Sequence, residues 1–305
     1  MVELNVSTAD LSALVGSWKL AMEADRLSPA TIDSYVRGAR YYLAWCDQGD
    51  GNPSYLSKPV LQRWVTHLLA SGAEPATARI RQQAVRRFAA WLAAEAEIDA
   101  DPFLGMRPPK LDTKVVEVLD EDQLRLMLKA CAGKSLADRR DEACLRLLTE
   151  TGMRAGELLA LNVPDVDLGR GLVTIRRGKG GKGRYVPFGA QTAASVDRYL
   201  RTRHRHRLAS TAALWLPETG GADRLGYHGL RVALLARARS AGVQGFHLHK
   251  LRHTFASRWL ASKGSEGGLM AVAGWSSREM VDRYARATAS ERAAAEARSL
   301  HLGDL

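Results

Sequence analysis

Tyr284 closes the segment Ala273-Gly274-Trp275-Ser276-Ser277-Arg278-Glu279-Met280-Val281-Asp282-Arg283-Tyr284, and three segments upstream carry charges that could act with it. Thr151-Gly152-Met153-Arg154-Ala155-Gly156-Glu157-Leu158 presents Arg154, Gly178-Lys179-Gly180 presents Lys179, and His249-Lys250-Leu251-Arg252-His253 presents His249 and Arg252. A single tyrosine on a helix is ordinarily a packing residue. A tyrosine that follows two such arginines, a loop lysine and a histidine in this order suggests a nucleophile aimed at a phosphodiester. Cleavage of that bond by a side chain places extra negative charge on the phosphoryl oxygens and creates an alkoxide that needs a proton. The site therefore needs a nucleophile, fixed cations near the non-bridging oxygens and a general acid. Arginine suits the second task because its planar fork donates in pairs and stays charged.

Each segment alone is open to a plainer reading. Arg154 stands three residues before Glu157, which could orient it on a helix; the alternative is an exposed arginine in a surface ion pair. His249 and Arg252 share one face if their stretch is helical; the alternative is a capping histidine and a structural arginine. His253 is expected to point away from that face and pack, and His247 and Lys250 carry no clear signal. Lys179 sits in a glycine-rich turn with Lys182 and Arg184 nearby. A mobile lysine there can reach a DNA groove and protonate a leaving oxygen, or the segment is an ordinary basic hairpin. A phosphate-cradling P-loop is excluded, because Arg184-Tyr185 stand where Lys-Ser/Thr would be needed.

Together these segments resemble the tyrosine recombinase (phage integrase) family, over roughly residues 115 to 290. The resemblance implies that Arg154 and Arg252 are paired phosphate-clamping arginines, Lys179 the general acid on a hairpin, His249 the first histidine of an HxxR element, and Tyr284 the nucleophile. Glu157 matches an acidic position that supports the first arginine. Trp275 stands where the family more often has histidine. An indole N–H donates a hydrogen bond but cannot shuttle a proton, so acid–base work is expected of Lys179 and His249. No cofactor is expected: the residues are Arg, Lys and His rather than a carboxylate cluster suited to magnesium, and a phosphotyrosine linkage conserves bond energy for rejoining.

The elements that must position these residues divide the chain. The first hundred residues read as a helical unit. Ser28-Pro29 is a cap followed by proline at the first helical position, with Ile32, Tyr35, Val36, Ala39, Tyr42 and Leu43 at helical spacing. Further helices begin at Pro59 and after Pro75. The last of these carries Arg79, Arg81, Arg86 and Arg87, read as either a solvated face or a DNA-backbone surface. Residues 106–116, with Pro108, Pro109, Lys110 and Lys114, read as a linker. Asp120-Glu121-Asp122-Gln123 predicts a capping box, and a helix is expected over Arg140 to Glu150. Leu172–Arg177 and Arg184–Pro187 predict a hairpin, with helices again from Gln191 onward. Arg198, Arg201, Arg203, Arg205 and Arg207 form the densest basic run, read as a solvated helix end or a DNA contact. The tail from Ser290 is helix-prone, and in the family such a segment often packs on a neighbouring subunit.

The expected fold is mainly α: a helical SAM-like core-binding domain over residues 1–105, the linker, and a mixed α/β catalytic domain with a small antiparallel sheet over 117–305. By resemblance the two form a C-shaped DNA clamp. The formal charge of +11, from 44 Lys+Arg against 33 Asp+Glu, favours an anionic partner such as nucleic acid. Three cysteines without CxxC spacing suit a reduced cytoplasmic protein, and no leader or membrane span is read in the sequence. The reading is a site-specific recombinase acting on double-stranded DNA sites as a homotetramer. It proceeds through a 3′-phosphotyrosine and a Holliday junction, with an accessory directionality factor as a further partner. Phage or mobile-element integration is the main expectation for its role, and chromosome-dimer resolution the alternative. More distant readings are a type IB topoisomerase-like enzyme and a DNA-binding protein without catalysis.

Overall fold

The structure is a computed structural model of the 305-residue chain, and it describes residues 8–48, 55–111, 116–176 and 183–284. The chain forms two compact units, Met1–Lys114 and Val115–Leu305.

The first unit consists of α1 (Thr8–Ala24), α2 (Pro29–Asp47), α3 (Lys58–Ala70) and α4 (Pro75–Ala94). Prolines in the first turn start α2, α3 and α4, where a missing N–H costs nothing. The Ser28 hydroxyl accepts from the Thr31 N–H at 3.2 Å and caps α2. The sequence reading did not single out α1, because no proline stands at its start as in α2, α3 and α4. Its signal was the buried series Leu11, Val15, Trp18 and Met22, spaced along one helical face. Trp18 packs on Phe88 with ring centroids 5.1 Å apart, so α1 and α4 close over one core with Tyr42 and Trp64.

The second unit opens with α5 (Glu121–Lys129), whose capping box pairs Asp120 with Gln123. Next comes α6 (Leu136–Thr151), which starts four residues before the expected position because Ser135 and Asp138 form a second capping box. α6 is the central helix: Leu145, Leu147 and Leu148 are buried against α8 (Ala190–Arg203), α9 (Tyr227–Ser240) and α10 (Leu248–Ala261). Between α6 and α8 lie the short α7 (Ala155–Ala160) and an antiparallel sheet in the order β1 (Val166–Asp167), β2 (Leu172–Ile175), β3 (Arg184–Pro187). The hairpin register pairs Val173 with Val186 and Ile175 with Arg184, which buries Val173, Ile175 and Val186 together. α11 (Glu266–Ala273) follows α10, and residues 279–284 are helical.

The basic run proves structural at its centre. Arg203 is 6% exposed and donates to the carbonyls of Ala209, Thr211, Ala213 and Leu214, so it fastens the loop after α8. Arg198 pairs with Glu142 and Arg201 with Asp197. Cys46, Cys131 and Cys144 are all free and buried.

Candidate functional site: a guanidinium cluster beside a buried tyrosine

α6 ends because Gly152 turns into the left-handed region at φ 59°. A Cβ there would also lie 2.1 Å from the Phe255 ring of α10, so glycine is needed twice over. The turn delivers Arg154 to the residue that caps α7, where Glu157 accepts its backbone N–H at 2.8 Å and its guanidinium at 2.9 Å. The Thr-Gly-x-Arg-x-x-Glu spacing thus builds the turn, the cap and the arginine's orientation in one stretch.

Glu157 holds a second arginine. Arg184 on β3 donates to both carboxylate oxygens, at 3.0 and 2.8 Å, and its Nε donates to the Val272 carbonyl of α11 at 2.8 Å. Burial pushes the Glu157 carboxyl up, but the hydrogen bond from Arg184 and the contacts with Arg154 outweigh it and hold the pKa below its ordinary value. Arg184, which the sequence suggests as a DNA contact, turns its guanidinium inward onto the buried Glu157 carboxylate.

Arg252 lies on α10, 3% exposed. It donates to the Gly152 carbonyl at 2.6 Å and the Ala273 carbonyl at 2.8 Å, binding the end of α6 to the end of α11. Its guanidinium sits 5.1 Å from the Trp275 ring. Burial first, and then repulsion from Arg154, bring its pKa down to about 10. This is charge held against its own preference. Arg154, Arg184 and Arg252 act on one another around a single carboxylate, so the cluster carries excess positive charge that an anion would relieve.

The tyrosine belongs to the same cluster. Gly274 ends α11 in the left-handed region, and Trp275 follows, 8% exposed. Trp275 stacks on Tyr284 with centroids 5.4 Å apart and planes 7° from parallel. Tyr284 is 1% exposed, among Phe255, Leu269 and Val281. Burial raises its pKa, with Arg252 and Arg283 pulling the other way.

His253 is the residue the sequence reading misplaced. Its Nδ1 is hydrogen-bonded to the Tyr284 hydroxyl, and its ring meets the His249 ring edge-on at 4.5 Å. Residues at i, i+3 and i+4 of a helix are neighbours, so His249, Arg252 and His253 share one face; the four-residue spacing was the available signal. Burial, with His249 and His247 beside it, brings the His253 pKa down to about 4. His249 keeps an exposed edge at the start of α10, and partial loss of water together with Arg252 lowers its pKa. Lys250 points the other way, is buried, and pairs with Glu117 at 3.0 Å.

Lys179 and Lys182 lie outside the described residues. On α4, Arg79 and Arg87 are exposed, while Arg81 and Arg86 are half-buried. Arg81 lies over the Tyr41 ring and Arg87 over the Tyr35 ring, at 5.2 and 5.6 Å. The described residues contain no His/Cys/Asp/Glu group able to hold a metal ion. None of the described helices is long and apolar enough to cross a membrane.

Residues 117–291 match the phage integrase family, and residues 18–96 match the phage integrase N-terminal SAM-like domain. The chain belongs to the phage integrase family of tyrosine recombinases. Tyrosine recombinase XerC of Xanthomonas campestris pv. campestris (strain B100) is 34% identical over 82% of this chain and 76% of its own length. Among solved structures, XerH site-specific recombinase bound to palindromic difH substrate aligns with a TM-score of 0.73 at 18% identity, over 92% of this chain and 81% of that one. A lambda integrase fragment bound to a COC′ core site aligns with a TM-score of 0.68 at 13% identity, over 89% of this chain and 94% of that one. The mainly helical fold with a SAM-like first unit and a small antiparallel sheet is that of these recombinases. This recombinase is accordingly an enzyme of site-specific DNA recombination.

Proposed function

We propose that the recombinase resolves chromosome dimers by cutting and rejoining DNA at a specific site, with Tyr284 as nucleophile. The excess positive charge around Arg154 and Arg252, directly beside a buried tyrosine, is the observation that carries the chemistry. The relative at 34% identity bears the XerC name, and this weighs toward dimer resolution, the alternative in the sequence reading, over integration. The likeness to lambda integrase, at 13% identity, speaks for fold and not for role.

In the proposed reaction the Tyr284 oxygen forms a bond to the scissile phosphorus and the P–O5′ bond breaks. The tyrosine proton leaves to His249 or to water, and the departing 5′-oxygen takes a proton from Lys179. Arg154 and Arg252 donate to the non-bridging oxygens as their charge grows, and the Trp275 N–H adds a neutral donor. Attack by the 5′-hydroxyl of a partner strand reverses these steps, so the phosphotyrosine requires no nucleotide cofactor. Tyr284 is 1% exposed, so its segment must open before it meets a phosphate. Arg79, Arg81, Arg86 and Arg87, with Lys182, supply DNA-backbone contacts that position without specifying sequence. Two DNA sites on a homotetramer complete the exchange through a Holliday junction, in the cytoplasm, with an accessory factor setting direction.

A nicked suicide substrate tests the chemistry: wild type should form a covalent adduct, and an adduct with Tyr284→Phe would end the assignment. Deleting the gene tests the role. Accumulation of dimeric chromosomes and filamentous cells is expected; normal segregation together with loss of excision of a mobile element would return the role to integration.

A further inference from the structure

One residue in the cluster has no part in the proposed chemistry and yet holds both the carboxylate that orients Arg154 and the end of α11. Arg184 is 12% exposed at its side chain, and each of its guanidinium nitrogens has a partner inside the protein. Two lie on the carboxylate that orients Arg154, and the third lies on the carbonyl of Val272. The next carbonyl along, of Ala273, is the one Arg252 holds. Arg184 and Arg252 therefore grip successive carbonyls at the end of α11, immediately before Gly274 and Trp275. The fit is close: a Cβ on Gly274 would lie 2.9 Å from the Arg184 Nη1, and its φ of 66° already excludes most side chains.

We infer that Arg184 is a positioning residue for the recombination reaction, fixing Arg154 through Glu157 and the Trp275 turn through the Val272 carbonyl, so that both sides of the phosphate clamp keep one spacing. This rests on the proposed reading of the site. Geometry makes the residue type specific. The Arg184 fork meets two carboxylate oxygens side by side while its Nε reaches a carbonyl on another element. A lysine presents its donors from one nitrogen, which cannot occupy the three positions the fork fills at once. With Lys at 184 the charge remains, but the link between β3, α7 and α11 is lost.

The test compares Arg184→Lys with wild type on a nicked duplex carrying the site that the wild-type protein enriches from a random-sequence pool. Arg184→Lys should keep its melting temperature within a few degrees and its DNA affinity within about threefold. Its single-turnover rate of covalent cleavage should fall about 10- to 100-fold, the usual range for losing a partner that orients a reacting group. A second duplex carries a neutral methylphosphonate at the scissile position, which needs less of the clamp. On it the gap between wild type and Arg184→Lys should shrink to about threefold or less. Cleavage of the ordinary substrate at the wild-type rate overturns the inference, and so does an equal fall on both substrates, which marks a general structural defect. Should Arg184→Lys not fold, Glu157→Gln, which keeps one carbonyl acceptor and removes the charge, is held to the same pattern. Failure of wild type to form the adduct, or its formation by Tyr284→Phe, sinks the reading of the site itself. Wild-type cleavage through Tyr284 with no effect of Arg184→Lys sinks only the positioning role.

Discussion

The rings of Trp275 and Tyr284 stack 5.4 Å apart and nearly parallel, and the guanidinium of Arg252 lies over the same indole, 5.1 Å from its centroid. The tryptophan thus has two separable parts to play: a flat surface that holds the tyrosine, and one N–H donor. Trp275→Phe keeps the surface and removes the donor; it should fold normally and cleave a suicide substrate about tenfold more slowly. Trp275→His restores a donor and should cleave faster than Trp275→Phe. Trp275→Ala removes the stacked ring from an 8% exposed position and should cost about 3–5 kcal/mol in chemical denaturation. Equal cleavage by the Phe and His variants would show that the donor is unused.

His253 titration is expected to report the tyrosine contact. With its pKa brought down to about 4, His253 is neutral at pH 7, and in the tautomer that leaves Nδ1 unprotonated it accepts the Tyr284 O–H. That hydrogen bond favours the neutral ring, so Tyr284→Phe should raise the His253 pKa, read by NMR of ring-labelled histidine. The unfolded chain protonates this histidine near the ordinary value of 6.5. Between pH 6.5 and about 4 the unfolded state therefore binds more protons, and stability should fall as pH drops through that window and then level off. His253→Gln should flatten this part of the profile; a profile unchanged by the substitution would contradict the assignment.

Arg252 joins two chain ends as well as facing the proposed phosphate. Arg252→Lys cannot reach both the Gly152 and Ala273 carbonyls. The cleavage rate should drop by about 10²–10³-fold, and stability by about 1–3 kcal/mol for the buried carbonyl left unpaired. Cleavage within threefold of wild type would remove Arg252 from the clamp.

Two glycines near Arg154 should respond with opposite signs. Gly152→Ala forces a Cβ into the Phe255 ring from a left-handed backbone and should destabilise by at least about 1–2 kcal/mol. Gly156→Ala, in the first turn of α7 with nothing within 4 Å of the added carbon, should stabilise by about 0.5–1 kcal/mol. Urea denaturation of the two variants separates these outcomes.

What the sequence alone determined is local. The caps at Ser28 and Asp120, the prolines that start α2 to α4, the alternating strands of the hairpin and the Arg154–Glu157 pair all depend on residues within a few positions of one another, and their spacing is visible in the chain. Even the missed α1 and the early start of α6 left local signals, in Trp18 and its helical neighbours and in Ser135 with Asp138. The tertiary structure decided the rest. His253 meets Tyr284 across 31 residues, Arg184 meets Glu157 across 27 and Val272 across 88, and Arg252 meets Gly152 across 100. A charged or polar side chain facing solvent and one facing a buried partner look the same in sequence. The difference lies in which distant backbone or carboxylate the packing of α6, α10, α11 and β3 brings within hydrogen-bond reach, and burial makes each such polar group find a partner.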